Sequence, residues 1–259
     1  MVKGLYTAYT GMIQQERRMD VLTNNLANAD TNGYKKEGAT AQSFDALLAY
    51  KIKDASEGYR TAKRIGFNNP GVKIGEGYTD FSQGPMKETG NTFDLALTDK
   101  GFFAVEFTSK SGESSVKYTR DGNFTTDAEG YLLTQDGDHV LNEDGEYVQI
   151  DPIASPTEIN ISGQIIQNGK VVDKIGIVDF EDYNYLKRYG ENYFEPVEGA
   201  TEKESDSRIY AGFLETSNIS IVSEMVDMIT VSRAYDSNQK LITTIDGTLD
   251  IAANQIAKV

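Results

Sequence analysis

The sequence predicts an α+β protein in which an antiparallel, β-rich central domain is carried between long N- and C-terminal helices that pair as a coiled-coil-like stalk. Three observations predict it. Apolar residues recur at spacings of three and four near both ends of the chain. All five prolines fall between residues 37 and 213. Between those limits, short β-type runs alternate with Asp-Gly turns. A chain of 259 residues is long enough to bury a sizeable core.

The first element is a helix. Leu5, Ala8, Met12, Gln15, Met19, Leu22 and Leu26 make a heptad stripe that is apolar except at Gln15. About 24 helical residues span roughly 36 Å. The segment Asn28-Ala29-Asp30-Thr31-Asn32-Gly33 stops it, because Asn and Gly suit a helix end followed by a turn of positive φ.

The middle reads as short strands. Tyr131–Thr134, His139–Leu141 and Tyr147–Ile150 are separated by Asp136-Gly137 and Asp144-Gly145, which predicts consecutive hairpins. Phe102–Phe107, Ser115–Thr119 and Lys174–Phe180 are further β-type runs. Residues 49–78 read as an irregular polar extension and 198–207 as an exposed loop. This divides the chain into a helical domain of residues 1–36 and 214–259 and a β domain of residues 37–213.

The last element is a longer helix. Its stripe is Ile221, Met225, Met228, Ser232, Tyr235, Gln239, Ile242, Asp246, Leu249, Ala253 and Ile256. Residues 219–257 hold no proline and a single glycine, Gly247. The predicted length of roughly 58 Å exceeds the N-terminal helix and far exceeds the ordinary globular helix of about 11–12 residues. An apolar stripe longer than its partner must be covered by another chain or stay unfolded.

Charge follows the same division. The formal net charge is −15, from 25 Lys+Arg and 40 Asp+Glu. Residues 1–36 carry +2, residues 37–213 carry −14 and residues 214–259 carry −3. The acidic surface repels nucleic-acid phosphates and anionic membranes, so neither is an expected partner. No stretch is long and apolar enough for a membrane span, and no signal-peptide core is present.

Chemistry is sparse. There is no cysteine and one histidine, which removes thiolate zinc sites, cysteine nucleophiles and multi-histidine sites within one chain. His139 reads as an exposed histidine at a strand end. Asp136, Asp138, Glu143, Asp144 and Glu146 fall on two hairpin tips and lack calcium-loop spacing. Gly75-Glu76-Gly77 lacks the third glycine of a dinucleotide loop. No pair of carboxylates stands out for glycoside hydrolysis. No catalytic residue, metal ligand or cofactor is expected.

The motifs carry a resemblance. Leu22-Thr23-Asn24-Asn25-Leu26-Ala27-Asn28-Ala29-Asp30-Thr31-Asn32-Gly33-Tyr34-Lys35 resembles the N-terminal signature of bacterial flagellar basal-body rod and hook proteins. Leu214-Glu215-Thr216-Ser217-Asn218, Glu224–Ile229 and Arg233–Asn238 resemble the C-terminal signature of that family. Gln83–Asn91, Asp94–Leu97, Gly101–Phe103 and Tyr118–Phe124 extend the likeness through the middle, in the family's order.

The resemblance implies a structural subunit, not an enzyme, in which the terminal helices pair as an inner tube with a β domain outside. It implies partners that are copies of this chain, neighbouring rod and hook proteins and the flagellar type III export apparatus. It places the protein in the basal body, exported without a cleaved signal peptide. Hook proteins carry an extra outer domain for which 259 residues leave little room, so rod is preferred over hook, and distal rod slightly over proximal.

The stripes and motifs together nominate subunit-interaction residues. They are Leu5, Met12, Met19, Leu22, Asn24, Asn25, Leu26 and Asn28 in the first segment and Leu214, Ser217 and Asn218 before the second helix. Along that helix they are Glu224, Met225, Met228, Ile229, Arg233, Tyr235, Asn238, Ile242 and Leu249. Glu224 and Arg233 are too far apart to pair along one helix and read as candidates for ion pairs between subunits. The residues alone leave two alternatives standing, a β-rich carbohydrate-active enzyme and a coiled-coil adaptor that never polymerises.

Overall fold

The structure is a computed structural model that describes residues 2–51, 63–109, 112–152, 156–205 and 207–255. It is α+β, with a β-rich part and two long helices. Helix α1 spans Val2–Ala27 and helix α2 spans Ile221–Gln255, about 39 Å and about 52 Å. The chain forms two compact units. One comprises residues 1–26, 37–78 and 221–259, the other residues 27–36 and 79–220.

The β-rich unit is built on strand Phe102–Thr108. One edge of it pairs with Ser114–Thr119 in the register Phe103↔Thr119. The other edge is shared by His139–Val140, through Val140↔Val105, and Ile177–Phe180, through Val178↔Phe102. All these pairings are antiparallel, within a sheet of nine strands. Side chains alternate across a strand, so Phe103 and Val105 enter one cluster with Leu95, Phe124, Val140 and Ile165. Phe102 and Ala104 enter a second, with Tyr118, Phe180 and Phe194. The uninterrupted apolar run Phe102–Val105 is therefore the mark of a strand covered on both faces.

The two Asp-Gly turns behave as hairpin turns. Gly137 and Gly145 have positive φ, and their N–H groups donate to Thr134 O at 3.1 Å and Asn142 O at 3.2 Å. Several expectations need correction. Lys174–Phe180 is not one strand: Lys170–Lys174 belongs to a three-stranded sheet and Ile177–Phe180 to the large one. The break falls at Gly176, which packs so tightly on the Asn142 backbone that any Cβ would overlap it. Residues 198–207 contain a strand, Glu202–Glu204, paired with Ile177–Phe180 through Asp179↔Lys203.

Residues 49–78 are also not irregular where described. Leu47–Lys51 pairs with Lys63–Asn68, and Val72–Thr79 pairs with Glu37–Ser43. Residues 52–62 of that segment lie outside the described residues. Residues 37–78 group with the helices rather than with the β middle, whereas 27–36 group with the β-rich unit. One reason is local: Thr7 Oγ1 donates to Pro70 O at 3.1 Å, and the Thr10 side chain fills the space beside Gly71.

His139 is half-buried, stacked on Tyr147 with ring centres 4.4 Å apart and edge-on to Tyr131 at 5.5 Å. It is not an exposed strand end. Asp138 is buried rather than solvated at a hairpin tip, and accepts the Tyr193 hydroxyl at 2.8 Å. The same bond and burial push the Tyr193 phenol above its ordinary range, burial first.

Candidate functional site

The nominated residues fall on the two helices and on the chain that leads from α1 and into α2. In the helical unit, three approaches between α1 and α2 are seen among the described residues. A Cβ on Gly4 would lie 3.8 Å from Ile245 Cδ1, and one on Gly11 would lie 3.0 Å from Asn238 Nδ2. Asn25 Nδ2 donates to Glu224 Oε2 at 3.3 Å. Positions rise by seven and fourteen along α1 as they fall by seven and fourteen along α2, which is an antiparallel approach repeating at heptad intervals. A methyl at Gly11 would press on the Asn238 amide, which would have to give by a few tenths of an ångström.

Asn25 has no exposed surface and does more than face α2. Its Oδ1 accepts the Glu37 N–H at 3.0 Å and its Nδ2 donates to Glu37 O at 2.8 Å. A side-chain amide can copy the donor and acceptor of a peptide, and Asn25 does so here, fixing the start of strand Glu37–Ser43. Glu224 is fully buried in the first turn of α2, where a negative charge suits the helix dipole. The expectation of a Glu224 ion pair to another subunit therefore gives way to a buried contact within the chain. Arg233, its proposed counterpart, is exposed.

The buried side of α2 is also turned from the expected stripe. Val231 is buried, and Met228, Tyr235, Asn238, Ile242 and Ile245 are half-buried. Met225, Ile229 and Leu249 are exposed. With Val222 at 73% and Val226 at 57% exposure, Met225 and Ile229 form an apolar face that none of the described residues covers. On α1, Leu22 is buried, Leu5, Met12, Met19 and Leu26 are half-buried, and Asn24 is exposed. Tyr6 and Tyr9 are half-exposed outside the expected stripe.

In the β-rich unit lies the chain that follows α1 and precedes α2. Half-buried Asn28 accepts the Thr31 N–H at its carbonyl, 3.2 Å. Gly33 has φ +67°, and its N–H donates to Glu215 O at 2.8 Å. Any side chain there would overlap the backbone of Arg120 and Asp121. Asn218 Oδ1 accepts the Lys36 N–H at 2.8 Å, while its Nδ2 donates to Asp80 O at 2.8 Å and Ser82 Oγ at 3.0 Å. Leu214 and Ser217 are buried. These motif residues are thus engaged inside the chain.

Three residues that sequence reasoning did not single out sit beside them. Glu215 accepts Lys35 Nζ at 2.6 Å on Oε1 and Arg120 Nη1 at 3.2 Å on Oε2. Oε1 also accepts the Gly84 N–H at 2.8 Å, and Lys35 Nζ donates to Ser82 O at 2.9 Å. All three side chains are at most 3% exposed. Burial holds the Lys35 ammonium below the usual lysine range, against the pull of Glu215 and with a further push from Arg120. Each of the three stands inside a family-like motif, in residues 22–35, 118–124 and 214–218. The available signal was a charged residue within an otherwise apolar or turn-forming block.

Next to Arg120, burial raises the Asp121 carboxyl to about 6, against hydrogen bonds from the Asn123 N–H and the Asn192 amide. Among the described residues no group of acidic or histidine side chains is placed to hold a metal ion. No described helix is long and apolar enough to cross a membrane.

Comparison with known proteins agrees with this distribution of motifs. Residues 5–35 match the family described as flagella basal body rod protein, and residues 210–256 match the flagellar basal body rod FlgEFG protein C-terminal family. Residues 96–172 match the flagellar hook protein FlgE/F/G D1 domain. The chain is 33% identical to the flagellar basal-body rod protein FlgF of Caulobacter vibrioides, over 100% of this chain and 98% of the relative. It is 33% identical to the flagellar basal-body rod protein FlgG of Bacillus subtilis, over 98% and 99%. It is 29% identical to the flagellar hook-basal body complex protein FlhO of the same organism, over the full length of both.

Proposed function

As this chain belongs to the flagellar basal-body rod protein family, a family of structural subunits and not of enzymes, we propose that it polymerises through its terminal helices into a helical tube that carries torque from motor to hook. The observation that carries this reading is the uncovered apolar face of Val222, Met225, Val226 and Ile229 on α2. Apolar surface of that kind on one helix is stabilised by a neighbouring copy. Contacts between unlike surfaces do not close on themselves, so the assembly grows.

In this reading α1 and α2 pair as an antiparallel coiled-coil-like stalk lining the inner tube, and the β-rich unit lies outside. The heptad spacing of the three interhelix approaches supports the pairing. The charge division supports the rest. Near-neutral ends pack in many copies without large self-repulsion, and the acidic middle keeps unassembled subunits apart in solution. Exposed Met225, Ile229, Arg233 and Leu249 contact neighbouring copies. Buried Asn25, Glu224, Leu214 and Ser217 shape the interface from beneath.

The partners are further copies of the chain and adjoining rod and hook proteins, and the export route is the flagellar type III apparatus. Relatives named FlgF and FlgG match at the same 33%, so the proposal is for the rod and favours neither a distal nor a proximal position. Deleting residues 1–28 and 221–259 tests it. The remaining chain is expected to stay monomeric and to leave a rod-defective cell non-motile. Restored swimming would overturn the reading.

A further inference from the structure

We propose that Lys35, Arg120 and Glu215 form a charge clasp in which one buried carboxylate holds two cations that would otherwise repel. The clasp fixes the chain eight residues beyond α1 and six residues before α2 in the single subunit, before any copy docks. The three residues come from stretches far apart in sequence, and the group they make is complete within one chain. The clasp therefore stands apart from the assembly reading, and either can fail without the other.

The geometry makes Glu215 the central member. Among the described residues it is the carboxylate bonded to both cations. Arg120 Nε is buried without a hydrogen-bond partner, and its guanidinium otherwise lies over the Phe102 ring, 5.2 Å from the centroid. Asp80 is the other acid acting on Lys35, and it acts through space only. Glu215 also receives the Gly84 N–H on its carboxylate and the Gly33 N–H on its backbone carbonyl. The carboxylate thus holds the Gly84 backbone directly, and the residue that carries it holds the Gly33 backbone. With two cations and one anion, the clasp carries one excess positive charge.

That excess sets an asymmetry. Losing Lys35 leaves a balanced Arg120–Glu215 pair. Losing the Glu215 charge leaves two buried cations facing each other, the costlier state for a buried ion group. A second loss, of Lys35, then relieves the first. Packing alone would not give that rescue, so it separates a charge clasp from simple filling of space. Glu215 acts as a positioning residue.

The test is amide hydrogen exchange on the full-length chain at a concentration where it is monomeric. It reads the peptides that carry Gly33 and Gly84. Glu215→Gln is expected to speed exchange there by about 100-fold, and Lys35→Met by less than about tenfold. The double variant is expected to recover at least about tenfold of the loss. If Glu215→Gln does not fold but the double variant does, the rescue is shown all the more directly. The proposal is overturned if Glu215→Gln exchanges like the wild type. It is equally overturned if the double variant exchanges as fast as Glu215→Gln, or fails to fold with it.

Discussion

The Asn25 amide donates to the Glu224 carboxylate at 3.3 Å, joining the last turns of α1 to the first turn of α2 across 199 residues of sequence. The same amide closes both backbone groups of Glu37. One side chain therefore sets the helix approach and the start of the next strand together. Only a group with both a donor and an acceptor can do this.

Substituting Asn25 separates these roles. Asn25→Ala leaves the Glu37 backbone groups without their partner and is expected to destabilise the helical unit by about 1–3 kcal/mol. Asn25→Asp keeps the acceptor but sets a second carboxylate against buried Glu224, so it should be the more damaging change near neutral pH. Urea denaturation followed by helix circular dichroism gives the order. If Asn25→Asp proves the milder of the two, the contact is not electrostatic in origin.

Gly33→Ala tests the turn after α1. A non-glycine residue at φ +67° is strained, and the added methyl would overlap the Arg120 and Asp121 backbone. A loss of about 2–4 kcal/mol is expected. In a thermal melt of the β-rich unit this appears as a clear fall in Tm. An unchanged Tm would mean the turn can be remade without its tight approach.

Asp121 predicts a pH dependence. Its carboxyl is raised from an ordinary 3.8 to about 6, chiefly by burial. The folded chain then binds the proton more tightly than the unfolded chain. The stabilisation is full below about pH 4 and is lost as pH rises through about 6, amounting to about 3 kcal/mol at most. Asp121→Asn should flatten that slope. The Asn192 amide can turn to meet the new donor, because its Oδ1 has no hydrogen-bond partner now. Denaturation midpoints between pH 3.5 and 7.5 show the slope and its loss. A wild-type midpoint that rises across that window after other carboxylates are accounted for would contradict the assignment.

Much of the architecture was legible because periodicity reports it directly. The heptad stripes located both helices, and Asp-Gly between β-type runs located the hairpins. The phase of the α2 stripe was legible only in part: Met228, Tyr235 and Ile242 of the expected stripe are half-buried, whereas Met225 and Leu249 are exposed. Its buried side includes Glu224 and Asn238, while Met225, Val226 and Ile229 face outward. Apolarity there marks surface left over by the single chain rather than the side packed within it. The strands of residues 47–79 were missed for a related reason. Their described side chains are mostly exposed or half-buried, as along Val72–Thr79, so no apolar alternation signals them. Lys35, Arg120 and Glu215 were hidden because a buried salt bridge joins residues that are distant in sequence and look like surface charges.

The outward apolar face also separates assembly from folding. Val226→Asp is expected to abolish polymer formation while leaving the Tm of the β-rich unit within about 1–2 °C of wild type, since Val226 is 57% exposed. Sedimentation and calorimetry on the same preparation measure both. A large fall in that Tm would show that the two units do not melt independently.

A helical reconstruction of the assembled polymer at side-chain resolution would show what covers the outward face of α2. Val222, Met225, Val226 and Ile229 are expected to be buried against helices of neighbouring copies, with the β-rich units on the outside. A polymer in which those four side chains remain open to solvent and the β-rich units make the subunit contacts would contradict assembly through the terminal helices.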